Sequence, residues 1–157
     1  MTPLITVKDL CMEFNGSVVL KDIHFEVAEG ETVGIIGRSG AGKTVLMHLM
    51  RGVDQPPSRG AIIYHIAACG NCDYIGVPSE AGKPCPACGS ELTPLDIDLW
   101  AEENAPMKRR IMRRTAIMFQ RTFALYGDDR VIENVLRALD DVGYPSEKAV
   151  GRAADLI

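Results

Sequence analysis

An α/β fold is predicted by three features of this chain: a glycine-punctuated loop at 37–44 between a strand-like and a helix-like segment, a hairpin pattern around Asn15-Gly16, and two Cys-x-x-Cys pairs. The 157 residues suffice for about one domain with a real core. Hydrophobic residues make up 46% and charged residues 24%, ordinary values for a soluble globular protein. No run of about 18 apolar residues exists to span a bilayer. The start at Met1-Thr2-Pro3 has neither the charged nor the apolar region of a secretion signal, so the expected location is the cytoplasm, without membrane insertion. A net charge of −4 and a pI near 5.4 give no global attraction to nucleic acid or anionic lipid.

Leu4-Ile5-Thr6-Val7 opens as a strand. Cys11–Phe14 and Ser17–Leu20 flank Asn15-Gly16, a dipeptide suited to a tight hairpin because both residues tolerate positive φ. Ile23, Phe25 and Val27 alternate with polar neighbours, so the first thirty residues read as an antiparallel β-region. Thr32–Ile36 reads as a short buried strand and Val45–Met50 as a helix. Asp54–Gly60 is a turn-rich linker before a strand at Ala61–Tyr64. Residues 66–106 hold the cysteine pairs and few apolar runs, and they read as an insert between core segments 1–65 and 107–157. Asn104 is placed to cap a helix with Pro106 in its first turn and Met107 and Ile111 as its apolar stripe. Ala116–Phe119 reads as a buried strand ending at Gln120, and Val131–Leu139 as a helix capped by Asp128 or Asp129. Gly143-Tyr144-Pro145 breaks the chain before a last helix from a Ser146 cap to Ile157.

Gly37-Arg38-Ser39-Gly40-Ala41-Gly42-Lys43-Thr44 has the spacing G-x-x-x-x-G-K-[ST], which builds a phosphate cradle when a strand precedes it and a helix follows. Its glycines let the backbone approach phosphate, and the N–H groups of Gly40 to Thr44 point at it. Lys43 would neutralise the β- and γ-phosphate oxygens, and the Thr44 hydroxyl would ligate Mg²⁺. The ligand implied is a nucleoside triphosphate, held by residues 37–44 and by Val45 at the helix start.

Cys69-Gly70-Asn71-Cys72 and Cys85-Pro86-Ala87-Cys88 are separated by twelve residues. Each pair forms a knuckle presenting two thiolates, and two knuckles make the four-sulfur tetrahedron that Zn²⁺ prefers. Rubredoxin-like iron, a shared iron–sulfur cluster and redox thiols are the alternatives. A closed zinc shell leaves no open position for catalysis, so the insert is expected to be a zinc-ribbon-like platform stiffened by its metal. Asp73, Glu80, Glu91, Asp96, Asp98, Glu102 and Glu103 face Lys83 alone, a balance that repels a phosphate backbone. Lys108–Arg114 is a basic run whose plain reading is a solvated helix face. His65 is read as structural, His48 as lying on the polar helix face and Cys11 as a small buried hydrophobe.

The order of elements, with Leu20-Lys21-Asp22-Ile23, the loop at 37–44, Ser58-Arg59-Gly60 before a strand, Ile117-Met118-Phe119-Gln120 and Val131-Ile132-Glu133-Asn134-Val135, closely resembles the nucleotide-binding domain of ABC-type ATPases, a P-loop NTPase fold. The resemblance covers nearly all the chain outside the insert. It implies that Phe14 stacks on adenine and that Gln120 is the glutamine which ligates Mg²⁺ and couples nucleotide state to a partner, so that Lys43 and Gln120 carry the catalytic roles. It implies ATP, Mg²⁺ and a second ABC domain, in cis or as a dimer. The family's signature motif, Walker B strand and switch histidine lie beyond Ile157, so the expectation is a truncated, N-terminal part that binds ATP without turning it over. With its Cys-Gly-Asn-Cys and Cys-Pro-Ala-Cys insert, the chain most resembles the ATP-binding component of the methyl-coenzyme M reductase activation system of methanogenic archaea, which implies a soluble complex. Transporter ATPase subunits and UvrA-like DNA-repair ATPases are the other readings.

Overall fold

Asn15 and Gly16 take φ values of 49° and 78° and close a hairpin between β1 (Pro3–Phe14) and β2 (Ser17–Ala28), as their sequence requires. The computed structural model describes residues 2–117, 130–141 and 143–156. Its five-stranded sheet is antiparallel throughout, with β3 (Arg59–Cys69) beside β1, and β4 (Ile75–Gly76) and β5 (Leu92–Asp98) both paired with β3. Between the hairpin and β3 runs helix α1 (Lys43–Arg51), and after β5 comes α2 (Ala105–Met112).

Of the four register shifts along the hairpin, the two between Val7 and Met12 set the core face. Val7 opposes Phe25 and Leu10 opposes Ile23, so β1 holds an extra residue there, and β2 restores the register with its own before Leu20 meets Met12. Asp9 and Asp22 sit in these bulges at φ 47° and 48°, a left-handed conformation that Asp tolerates better than most residues. Strict alternation from Val7 would send Leu10 and Met12 outward; the bulge turns all three into the core. There they meet Leu46 and Leu49 of α1 and Ile62 and Tyr64 of β3. Ile23, Phe25 and Val27 are half-buried between exposed His24 and Glu26, as their alternation predicts.

Thr32–Ile36 is not a strand. None of the described strands lies beside it, and Val33, Ile35 and Ile36 are exposed, Ile36 at 98%. A strand buried on both faces exists only by virtue of neighbours that take its backbone hydrogen bonds, and the sheet formed here runs elsewhere.

β3 passes without a break through residue 66, where the sequence places the start of the insert, and β5 pairs with it from Ile63–Asp98 to Cys69–Leu92. The cysteine segment therefore hangs on the same sheet that carries α1. By its contacts the chain divides into two compact units, Met1–Met112 and Arg113–Ile157. In the second, α3 (Val131–Asp141) ends in a Schellman turn at Gly143, φ 74°, with Gly143 N–H on Asp140 O and Tyr144 N–H on Leu139 O. α4 (Ser146–Asp155) follows and buries Ala149 and Ala153. Its N-cap is Pro145 with no side-chain bond, so Ser146 is the first helical residue and not the cap. The proposed strand end at Met118–Gln120 and the caps Asp128 and Asp129 lie outside the described residues.

Gly60, at φ 90°, lies beneath the β1 bulge, where an added Cβ would stand 2.4 Å from Asp9 O and 2.5 Å from Lys8 O. Both obstacles are backbone and cannot rotate away. Gly60→Ala is expected to cost about 2–4 kcal/mol, read as a lowered urea midpoint with an unchanged slope.

Candidate functional site

α1 begins behind Gly42, at φ 84°, and its first turn has neither a side-chain cap nor an acidic residue. The leading amides therefore stay available and the positive end of the helix dipole faces outward, the arrangement that binds phosphate. Gly40, at φ 79°, and a bond from Ala41 N–H to Arg38 O of 3.2 Å fold the loop back on itself. Lys43 Nζ donates to Gly37 O and Arg38 O, both at 2.7 Å, leaving one of its three N–H bonds for an anionic oxygen. Residues 37–41 and Thr44 are exposed, while Lys43 and Val45 are half-buried.

The loop is seated on the hairpin. A Cβ on Gly42 would meet Leu20 Cδ2 at 2.8 Å and Val19 O at 3.1 Å, so glycine is required by contact as well as by φ. Phe14 is paired with Ser17 across the hairpin end and is 38% exposed. Gln120, the other residue assigned to Mg²⁺ and to catalysis, lies outside the described residues.

The four cysteines of the two pairs converge. Their Sγ atoms all lie within 4.8 Å of one another, with Cys69 to Cys88 at 3.4 Å and Cys72 to Cys85 at 3.6 Å. A tetrahedron with Zn–S bonds of about 2.3 Å has edges of about 3.8 Å, so the cage fits a Zn²⁺-sized ion. The knuckles are built alike: Cys69 N–H bonds Tyr74 O at 3.0 Å, and Cys85 N–H bonds Ser90 O at 2.7 Å. Asn71 Nδ2 to Ser90 Oγ, 2.7 Å, ties one to the other. Hydrogen bonds from the Ser90 backbone and hydroxyl bring the Cys88 thiol down to about 6. For Cys72 a bond from the Tyr74 backbone acts downward, but desolvation and the three neighbouring thiols outweigh it and push the group up to about 12. Cys11 stands apart and is only half-buried, its Sγ accepting from Asp22 N–H and from Arg59, each at 3.3 Å, which corrects its reading as a buried hydrophobe. His65 is bound to Thr6 and Asp96, away from the thiols, and His48 is partly covered and joined to Asp54.

Sequence reasoning missed the residues that fix the far end of α1. Trp100 Nε1 donates to Leu49 O at 3.0 Å and Tyr64 OH to Met50 O at 2.8 Å, satisfying carbonyls that a helix C-terminus leaves open. Lys108 lies 3.4 Å from the Trp100 ring centroid. Arg110, in the basic run read as a solvated face, instead donates to Cys69 O, Cys72 O and Tyr74 O at 3.2, 2.9 and 3.1 Å. No local signal distinguishes Arg110 from Arg109; the acceptors come from a turn almost forty residues earlier.

A family model described as ABC transporter matches residues 20–148. The chain is 47% identical over 155 residues to the uncharacterized ABC transporter ATP-binding protein MJ1242 of Methanocaldococcus jannaschii, covering 98% of this chain and 28% of that protein. It is 29% identical to the methionine import ATP-binding protein MetN of Brucella abortus, over 99% of this chain and 33% of the relative. The chain thus spans about a third or less of the length of these curated relatives. Among solved structures, the ATP-binding cassette MJ0796, a dimer in a post-hydrolysis state with ADP and Pi, matches at a TM-score of 0.60 and 19% identity over 96% of this chain and 54% of its own, which shows the fold. The family match covers most of the chain and includes the loop, α1 and β3: this chain belongs to the ABC transporter family, whose ATP-binding domains hydrolyse ATP.

Proposed function

We propose that the chain is the ATP-binding part of a soluble ABC-type ATPase, cytoplasmic and paired with a second ABC domain, which couples ATP to the reductive activation of methyl-coenzyme M reductase. The observation that carries the ATP-binding part is the uncapped start of α1, with Lys43 held at its mouth. Lys43 and the amides of Gly40 and of residues 42–45 hold the β- and γ-phosphates, Thr44 and Gln120 take Mg²⁺, and Phe14 stacks on the base. The metal lends charge to the phosphate oxygens, and the chain's own part is to orient them. Cys69, Cys72, Cys85 and Cys88 hold a structural zinc ion, which supplies a cross-link with no open position. What supports the activation role is the union of this cassette with a four-cysteine insert.

The likeness to a methionine import ATP-binding protein favours a second reading, an ATPase subunit docked on a membrane transporter. Co-purification of the full-length protein with soluble reductase subunits supports the first reading, and partition into the membrane fraction supports the second. The acidic insert disfavours a DNA-repair role.

Lys43→Ala is expected to weaken MgATP binding at least tenfold, about 1.4 kcal/mol, by calorimetry on folded protein. The 157-residue chain by itself is expected to release no phosphate in steady state. Steady turnover that Lys43→Ala abolishes would overturn that expectation.

Protein made under reducing conditions is expected to carry one zinc ion per chain by elemental analysis. Cys85→Ser should lose it, and Cys11→Ser should keep it.

A further inference from the structure

We infer that occupancy of the cysteine site and nucleotide binding at the phosphate loop favour each other, with Arg110 and Trp100 as the positioning residues that join the two. The inference rests on reading the four thiols as a zinc site and the 37–45 loop as a nucleotide site.

All parts of the connection lie within Met1–Met112. At one end, the Arg110 guanidinium gathers three carbonyls of the first knuckle, Cys69, Cys72 and Tyr74, and its side chain is only 20% exposed. Those carbonyls converge only while the knuckle keeps its turn, and the turn is pinned by thiols that a metal draws together. The guanidinium also places a positive charge beside a cage whose four thiolates exceed the charge of a divalent ion by two. Along the same helix, Lys108 covers the Trp100 ring, whose indole N–H holds Leu49 O at the end of α1. A Cβ at Gly52, the residue that ends α1, would stand 2.8 Å from Lys108 Cε and 3.3 Å from Met112 Sδ, so α2 also touches the cap of α1 directly. Ile111 is buried in the same cluster as Leu49.

α1 spans nine residues, about 13 Å of stiff rod at 1.5 Å per residue. Its far end presents the amides and the Lys43 ammonium that face phosphate. Metal loss releases the knuckle carbonyls, and with them the grip of Arg110 on α2. The Trp100 and Gly52 contacts then hold α1 less firmly, and the phosphate amides must be ordered by the nucleotide itself. Because affinities are state functions, the coupling runs both ways: nucleotide strengthens zinc binding by the factor through which zinc strengthens nucleotide binding.

Trp100 is the sole tryptophan of the chain and reports the joint directly. The experiment titrates MgATP into the zinc-loaded chain and into the same chain stripped by a chelator, by calorimetry and by Trp100 emission, with circular dichroism to establish folding. Stripping is expected to weaken MgATP binding about tenfold and to shift Trp100 emission to the red. Arg110→Met, loaded with zinc, should bind MgATP as weakly as stripped wild type, and stripping it should change little further. Equal affinity and equal emission in loaded and stripped wild type, both folded, overturn the inference. Should the stripped chain unfold, a zinc-loaded Arg110→Met that binds MgATP as tightly as loaded wild type overturns it instead. A chain that takes up no zinc overturns the metal-site reading and this inference together, whereas uptake of zinc with unchanged nucleotide affinity overturns this one alone.

Discussion

The two ends of α1 are treated oppositely, and the placement of the phosphate loop depends on that asymmetry. Its C-terminal carbonyls are answered by an indole, a phenol and the backbone of Gly52 and Val53, so the helix is moored to the sheet from β3 and from the segment after β5. Its N-terminal amides are left without a side-chain partner. Unmet donors at an exposed helix start are tolerable in water, and they become an asset when an anion arrives, because the dipole and the geometry are already in place. The Leu46 and Leu49 side chains on the underside fix the orientation, each buried against the bulged hairpin.

Where the sequence speaks through short-range chemistry it is legible. Asn15-Gly16, the glycines of the loop and the two Cys-x-x-Cys turns each act within a few residues, and each stands where its local pattern puts it. A helix does begin after Asn104, but the Asn104 amide donates to Asp98 O at 3.0 Å and not to that helix as its cap. Signals that depend on distant partners are not legible. The bulges at Asp9 and Asp22 shift the phase of two strands, and nothing in the alternation around Val7 announces that Leu10 also faces inward. Thr32–Ile36 has the composition of a buried strand, but composition cannot provide the neighbours that would make it one. Trp100 and Arg110 take their meaning from carbonyls brought close only by the antiparallel return of β5 along β3.

That return also changes how the cysteine segment is to be regarded. β3 carries hairpin contacts at its start and Cys69 of the four-thiol cluster at its end, so one strand serves both neighbourhoods. A module attached through flexible linkers could move without consequence for its host. One continued from a central strand, and clasped by Arg110 from the following helix, shares the rigidity of the sheet.

The exposed stretch at Val33, Ile35 and Ile36 bears on handling of the chain. It is uncharged between Glu31 and Arg38, free of proline and rich in β-branched side chains, a composition that adheres to its own kind when concentrated. These residues form one uncharged apolar stretch open to solvent on an otherwise acidic chain. Preparations should stay clearest when dilute, and a lysine at Ile36, whose side chain meets solvent almost entirely, is the mildest way to keep neighbouring molecules apart.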